Sequence, residues 1–186
     1  MDRNALILQL MEYGNLWIEE SHKALQFIEF LSNHPDAFER SLPIGHVTGS
    51  AWLVNRAGSH VLLTHHKKLN IWVQLGGHAD GDSDVLRVAL REAKEESGLH
   101  AMELVMPQIF DIDVHLIPAR QAEPSHYHWD VRYAFRVVGG ESFTPTEESH
   151  ELRWIEIARL DSVTHEESML RMARKWLHEA AGATRL

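Results

Sequence analysis

Gly77-His78-Ala79-Asp80-Gly81-Asp82-Ser83-Asp84-Val85-Leu86-Arg87-Val88-Ala89-Leu90-Arg91-Glu92-Ala93-Lys94-Glu95-Glu96-Ser97-Gly98-Leu99 is the stretch whose reading decides the fold. Just before it, Trp72-Val73-Gln74-Leu75 is a short apolar run that reads as a strand, stopped by Gly76-Gly77. Residues 78–84 are small and acidic and read as a loop. From there the period becomes helical. Val85, Leu86, Ala89 and Ala93 form an apolar face, Asp82 or Ser83 is the expected N-cap, and Gly98 stands where a helix C-terminus favours glycine. The spacing predicts a helix over 84–97.

On that helix Glu92, Glu95 and Glu96 stand at i, i+3 and i+4, so they crowd one face. Like charges at this spacing repel. A hard divalent ion such as Mg²⁺ or Mn²⁺ takes oxygen ligands and offsets that repulsion. A glutamate pair alone is usually a solvated acidic face. Here a glycine-ended strand and an acidic loop lead into it.

This strand–loop–helix unit resembles the Nudix box of diphosphate hydrolases. The family pattern is glycine, five residues, glutamate, seven residues, then Arg-Glu-apolar-any-Glu-Glu-any-Gly-apolar. Gly77 fills the first position, and Arg91, Glu92, Ala93, Glu95, Glu96, Gly98 and Leu99 fill the last block, a match over 23 residues. One position departs: Ser83, flanked by Asp82 and Asp84, stands where the family has a glutamate that supports the loop and helix.

The resemblance extends over most of 44–160. It implies an α/β (α+β) fold, an α/β/α sandwich with a mixed sheet. It also implies Glu95 and Glu96 as core metal ligands, Glu92 as a further ligand or the water-activating base, and the Gly76 carbonyl in the metal shell. Arg91 would pair with a helix carboxylate. The implied cofactor is Mg²⁺ or Mn²⁺. The implied reaction is water attack at phosphorus, cutting the diphosphate bond of a nucleoside diphosphate-linked compound. Glu148, in a stretch that resembles the family's loop before its last strand, is the expected auxiliary ligand or base. The alternative is a non-catalytic Nudix-fold module that binds a metabolite. The Ser83 departure favours it, and retention of Arg91 and all three helix glutamates opposes it.

Outward from the box, residues 4–33 read as helix, with Gly14-Asn15 as a break and Pro35 as the stop. Strand-like runs cover 47–54, then Val61-Leu62-Leu63 after the turn Asn55-Arg56-Ala57-Gly58, and later 101–106, 109–117, 127–138 and 152–157. Residues 166–181 return to helical period. The expected division is an N-terminal helical segment, 1–43, and a Nudix-type domain, 44–186. The N-terminal helices are expected to cover the pocket or to form a homodimer interface.

On a strand, His126, His128 and Asp130 would point to one face, with His115 on a neighbouring strand. These side chains line the substrate pocket, hold a second metal, or belong to an ordinary sheet face on which histidine and aromatic residues alternate. His78, directly after the glycines, would face the phosphates. Trp52, Trp72 and Trp129 either pack in the core or stack on a base.

The formal net charge is −9, from 18 basic and 27 acidic side chains, which repels a nucleic-acid polymer. No apolar run approaches the roughly 18 residues that span a bilayer. Cysteine is absent, which excludes disulfides, thiolate metal sites and a cysteine nucleophile. The expected partner is a small-molecule diphosphate and the expected compartment is the cytoplasm.

Overall fold

The structure, a computed structural model, describes residues 2–66, 71–120, 124–144 and 151–183. Two helices open it, α1 (Arg3–Leu16) and α2 (Ser21–Asn33), separated by one 3-10 turn over Ile18–Glu20. Asp2 caps α1 by accepting the Ala5 N–H at 2.9 Å. The break falls at Trp17 rather than at Gly14-Asn15. Gly14 stays inside α1, where a Cβ would meet the Ala24 Cβ of α2 at 3.2 Å, so the glycine serves close helix approach and not chain reversal. The second helix stops ahead of Pro35, as the restricted backbone before proline requires.

Eight strands follow: β1 (Gly45–Val54), β2 (His60–His66), β3 (Ile71–Val73), β4 (Leu75–His78), β5 (Met102–Leu104), β6 (Asp111–Ile117), β7 (His126–Val137) and β8 (Leu152–Glu156). Helix α3 (Val85–Ser97) lies between β4 and β5, and α4 (Glu167–Ala183) ends the chain. The strands hydrogen-bond in the order β3-β2-β1-β7-β5, with β4 also on β1, β6 on β7 and β8 on β2. The architecture is mixed α/β with a mixed sheet and N-terminal helices.

Two local expectations are corrected. The glycine pair does not stop a strand, because Gly76 and Gly77 lie inside β4. The cap of α3 is Asp84 and not Asp82 or Ser83: its Oδ1 accepts the Arg87 N–H at 3.2 Å. Asp82 instead accepts the Asp84 N–H at 2.9 Å and so holds the capping residue itself.

The chain forms two compact units. The first comprises Met1–Ser50, Gly76–Glu92 and Met106–Tyr133, and the second Ala51–Leu75, Ala93–Val105 and Ala134–Leu186. In the first unit α1 and α2 bury Leu6, Leu10, Phe27, Phe30 and Leu31. Trp129 of β7 stacks on Phe30 with ring centroids 4.3 Å apart and tilts against Phe27 at 5.3 Å, so its half-buried ring packs against α2. Lys23 of α2 reaches Asp113 of β6 at 2.8 Å. Strands β6 and β7 run antiparallel, in a register that places His115 opposite His128.

In the second unit β2 runs antiparallel to β3 and β8 and meets the end of β1 at Val54↔Val61. Trp52, Leu62, Leu63 and Met172 are buried there. The Trp176 indole of α4 donates to the Gly58 carbonyl at 2.8 Å, fastening that helix to the hairpin turn. Trp72 lies under the Arg153 guanidinium, 5.0 Å from the ring centroid.

Candidate functional site

Strand β4 delivers Gly77 and His78 to the loop that leads into α3. Asp80 takes a left-handed backbone conformation (φ 51°), as does Gly81 (φ 84°), and together they turn the chain. Arg40 holds both Asp80 oxygens at 2.5 Å, and the Gly81 N–H donates to the Phe38 carbonyl at 2.9 Å. Arg87 holds both Asp82 oxygens at 2.8 and 2.6 Å. Hydrogen bonding from these arginines keeps both carboxyls below their usual range. The loop in which serine replaces glutamate is thus tied by its two flanking aspartates. Exposed pairs of this kind position the loop more than they stabilise it.

Arg91 lies between α3 and the end of β4. Its Nη2 donates to Glu92 Oε1 at 2.6 Å and to the His78 carbonyl at 3.1 Å, joining the helix carboxylate to the end of β4. The Glu92 side chain is 15% exposed and lies directly over Gly77, where any Cβ would overlap its carboxylate. Gly76 faces the Ser50 side chain in the same manner. Glu95 is exposed and Glu96 half-buried, and helical spacing puts both on the face that carries Glu92. Glu148 lies outside the described residues.

A second constellation stands in the first unit. His46 of β1, His78 of β4 and His128 of β7 place one ring nitrogen each within 4.8 Å of the other two. The ring centroids are 4.9 Å apart for His46 and His78, 5.0 Å for His46 and His128, and 5.1 Å for His78 and His128. His126 stacks on His46 at 5.0 Å, and His115 meets His128 edge-on at 5.5 Å. His46 is 3% exposed, and neither of its ring nitrogens has a hydrogen-bond partner; His128 Nε2 is likewise buried without one. Burial first, then the neighbouring His78, pushes the His46 imidazole down to about 4 and that of His128 to about 2. Both rings are therefore neutral at neutral pH.

His46 is the member that the sequence reading did not single out. The available signal was alternation: His46, Thr48 and Ser50 repeat along one strand face as His126, His128 and Asp130 do along another. The two strands are joined at Asp130. Thr48 and Ser50 both donate to Asp130 Oδ1, at 2.9 and 2.7 Å, while Arg132 Nε donates to Asp130 Oδ2 at 2.7 Å. The Asp130 carboxylate is thus taken up by hydroxyls and a guanidinium, and its place is below the histidines rather than among them.

The NUDIX domain family model matches residues 45–177. No curated protein matches the sequence. Among solved structures, the MutT protein from Methanosarcina mazei Go1 is similar with a TM-score of 0.56 and 16% identity, covering 75% of this chain and 97% of its own. A NUDIX family hydrolase from Clostridium perfringens aligns at a TM-score of 0.51 and 23% identity, covering 70% and 95%. A C. elegans Ap4A hydrolase aligns at 0.52 and 18%, covering 73% and 98%. At these identities the likeness is one of fold. None of the described helices is long and apolar enough to cross a membrane.

Proposed function

The chain belongs to the NUDIX domain family and is a pyrophosphohydrolase of that family, and from this premise we propose that it cuts the diphosphate bond of a nucleoside diphosphate-linked compound with the help of Mg²⁺ or Mn²⁺. The observation that carries the reading is the bridge from Arg91 to Glu92 and to the His78 carbonyl, at 2.6 and 3.1 Å. It ties the helix carboxylate to the strand whose backbone the family uses at the metal.

Carboxylate and carbonyl oxygens are hard donors, which fits a hard divalent ion. The Cβ-free surface of Gly77 leaves room over Glu92, which a side chain would close. In this reading Glu95 and Glu96 are the principal ligands, with the Gly76 carbonyl beside them. Glu92 is a further ligand or the base that takes the proton of the attacking water, and Arg91 fixes its orientation. Glu148 is the auxiliary acid. A cation held there neutralises charge that grows on the diphosphate oxygens in the transition state.

The test is release of phosphate from a panel of nucleoside diphosphate-linked compounds and nucleoside triphosphates, with Mg²⁺ or Mn²⁺ and an added phosphatase. Turnover that chelation abolishes, and that Glu95→Gln lowers by at least about 10²-fold, supports the reading. A folded protein that binds nucleotide and turns over nothing in the panel would transfer support to the metabolite-binding module.

A further inference from the structure

We propose that His46, His78 and His128 form a binding site for a transition-metal ion of the zinc class, built from ring nitrogens and not from the carboxylates of α3. The proposal goes beyond the hydrolase reading and does not depend on it. The first support is geometry. Three ring nitrogens, one from each of β1, β4 and β7, lie within 4.8 Å of one another, and β4 and β7 both pair with β1. Nitrogens that share one tetrahedral zinc, at Zn–N ~2.0–2.1 Å, stand ~3.3 Å apart. Side-chain rotation closes that gap, so the strands need not move.

The second support is the state of His46. A ring that is 3% exposed and has no hydrogen-bond partner at either nitrogen is an expense that folded proteins seldom leave uncompensated. His128 Nε2 repeats the pattern within the same cluster. A metal ion would take the one lone pair that each neutral ring offers.

The donor type selects the ion. Imidazole suits Zn²⁺, Cu²⁺, Ni²⁺ and Fe²⁺, whereas Mg²⁺ takes oxygen. The chain thus carries two donor types of different hardness, the ring nitrogens of the three histidines and the carboxylates of α3. Three protein ligands leave a tetrahedral ion one open position, as in zinc sites that hold a water or a substrate oxygen. The rings of His126 and His115 flank this trio, on His46 and His128 respectively.

The experiment uses the full chain, stripped with a chelator and titrated with Zn²⁺ in excess Mg²⁺. The expected result is one Zn²⁺ per chain that excess Mg²⁺ does not displace. His46→Gln and His128→Gln should each weaken it by at least ~100-fold, the upper end for losing even an outer partner of a metal ligand. Glu95→Gln and the exposed-residue control His22→Gln should retain it. A second measurement needs no variant: Cu²⁺ bound to the unsubstituted chain should show electron paramagnetic coupling to imidazole nitrogen. Failure to retain zinc, an affinity unchanged in folded His46→Gln, or a copper spectrum without nitrogen coupling overturns the proposal. Loss of phosphate release in the same protein would bear on the α3 glutamates and leave this result standing.

Discussion

Arg132 Nε donates to Asp130 Oδ2 at 2.7 Å, and each side chain is only 2% exposed. The guanidinium continues to Asp111 at 3.1 Å and Asp113 at 3.5 Å, while the other Asp130 oxygen takes the hydroxyls of Thr48 and Ser50. One buried cation therefore joins β6 to β7, and Asp130 joins β7 to β1. The histidine cluster rests on this arrangement, since His46 and His128 each lie two residues from a member of it. Removing one partner of a buried ion pair leaves a desolvated charge uncompensated, at a cost of about 3–5 kcal/mol. Asp130→Ala is expected to lose about 3 kcal/mol in urea unfolding, the lower end because Asp111 and Asp113 remain. A loss below about 1 kcal/mol would show that those two aspartates suffice.

Acid should weaken the same unit in a predictable direction. Burial pushes the Asp113 carboxyl up, but hydrogen bonding from His115, the Arg132 charge and the Lys23 ammonium together hold it well below its ordinary value of 3.8. A carboxyl depressed on folding adds stability above its unfolded value and loses that contribution as the pH falls towards its folded one. The groups that face it are Lys23, His115 and Arg132. The difference in unfolding free energy between the parent and Asp113→Asn should therefore be largest near neutrality and shrink between about pH 5 and pH 3. A gap that stays constant across that range would mean that Asp113 acts through packing and not through its charge.

What could be read from the sequence was local. The apolar stripe of α3 and the i, i+3, i+4 glutamates follow from helical geometry within one segment, so spacing alone reveals them. Gly14 misled because glycine has two uses: chain reversal is visible locally, whereas close approach to Ala24 depends on a helix ten residues further along. Gly76 and Gly77 misled similarly, since their neighbours Ser50 and Glu92 come from other elements. His46 stayed hidden because its partners lie 32 and 82 positions away and only strand pairing brings them together. Arg132, an ordinary charged residue in the sequence, gains its role from three aspartates on two strands.

The cap of α3 offers a narrower test. Asp84 Oδ1 accepts the Arg87 N–H at 3.2 Å, and the carboxylate also lies at the positive end of the helix dipole. Asp84→Ala should lower stability by about 1 kcal/mol in urea, while Asp84→Asn, a comparable cap, should retain most of it. Equal losses in the two variants would locate the effect in the charge and not in the cap hydrogen bond.

Gly77 separates function from stability. A methyl group there would come 2.5 Å from Glu92 Cδ and 2.9 Å from Oε1. The obstructed atoms are the far end of a flexible side chain, so the fold can accommodate Gly77→Ala by swinging Glu92 aside. That movement takes the carboxylate away from Arg91 Nη2, its partner at 2.6 Å. A shift of about 1 Å at a catalytic group can cost of order 10²-fold in rate. Gly77→Ala should therefore melt within a few degrees of the parent yet hydrolyse its best diphosphate substrate about 10²-fold more slowly, with the loss in kcat and not in KM. If the variant keeps full turnover, the position of Glu92 does not matter to the reaction, and the roles given to Glu92 and Arg91 fail together.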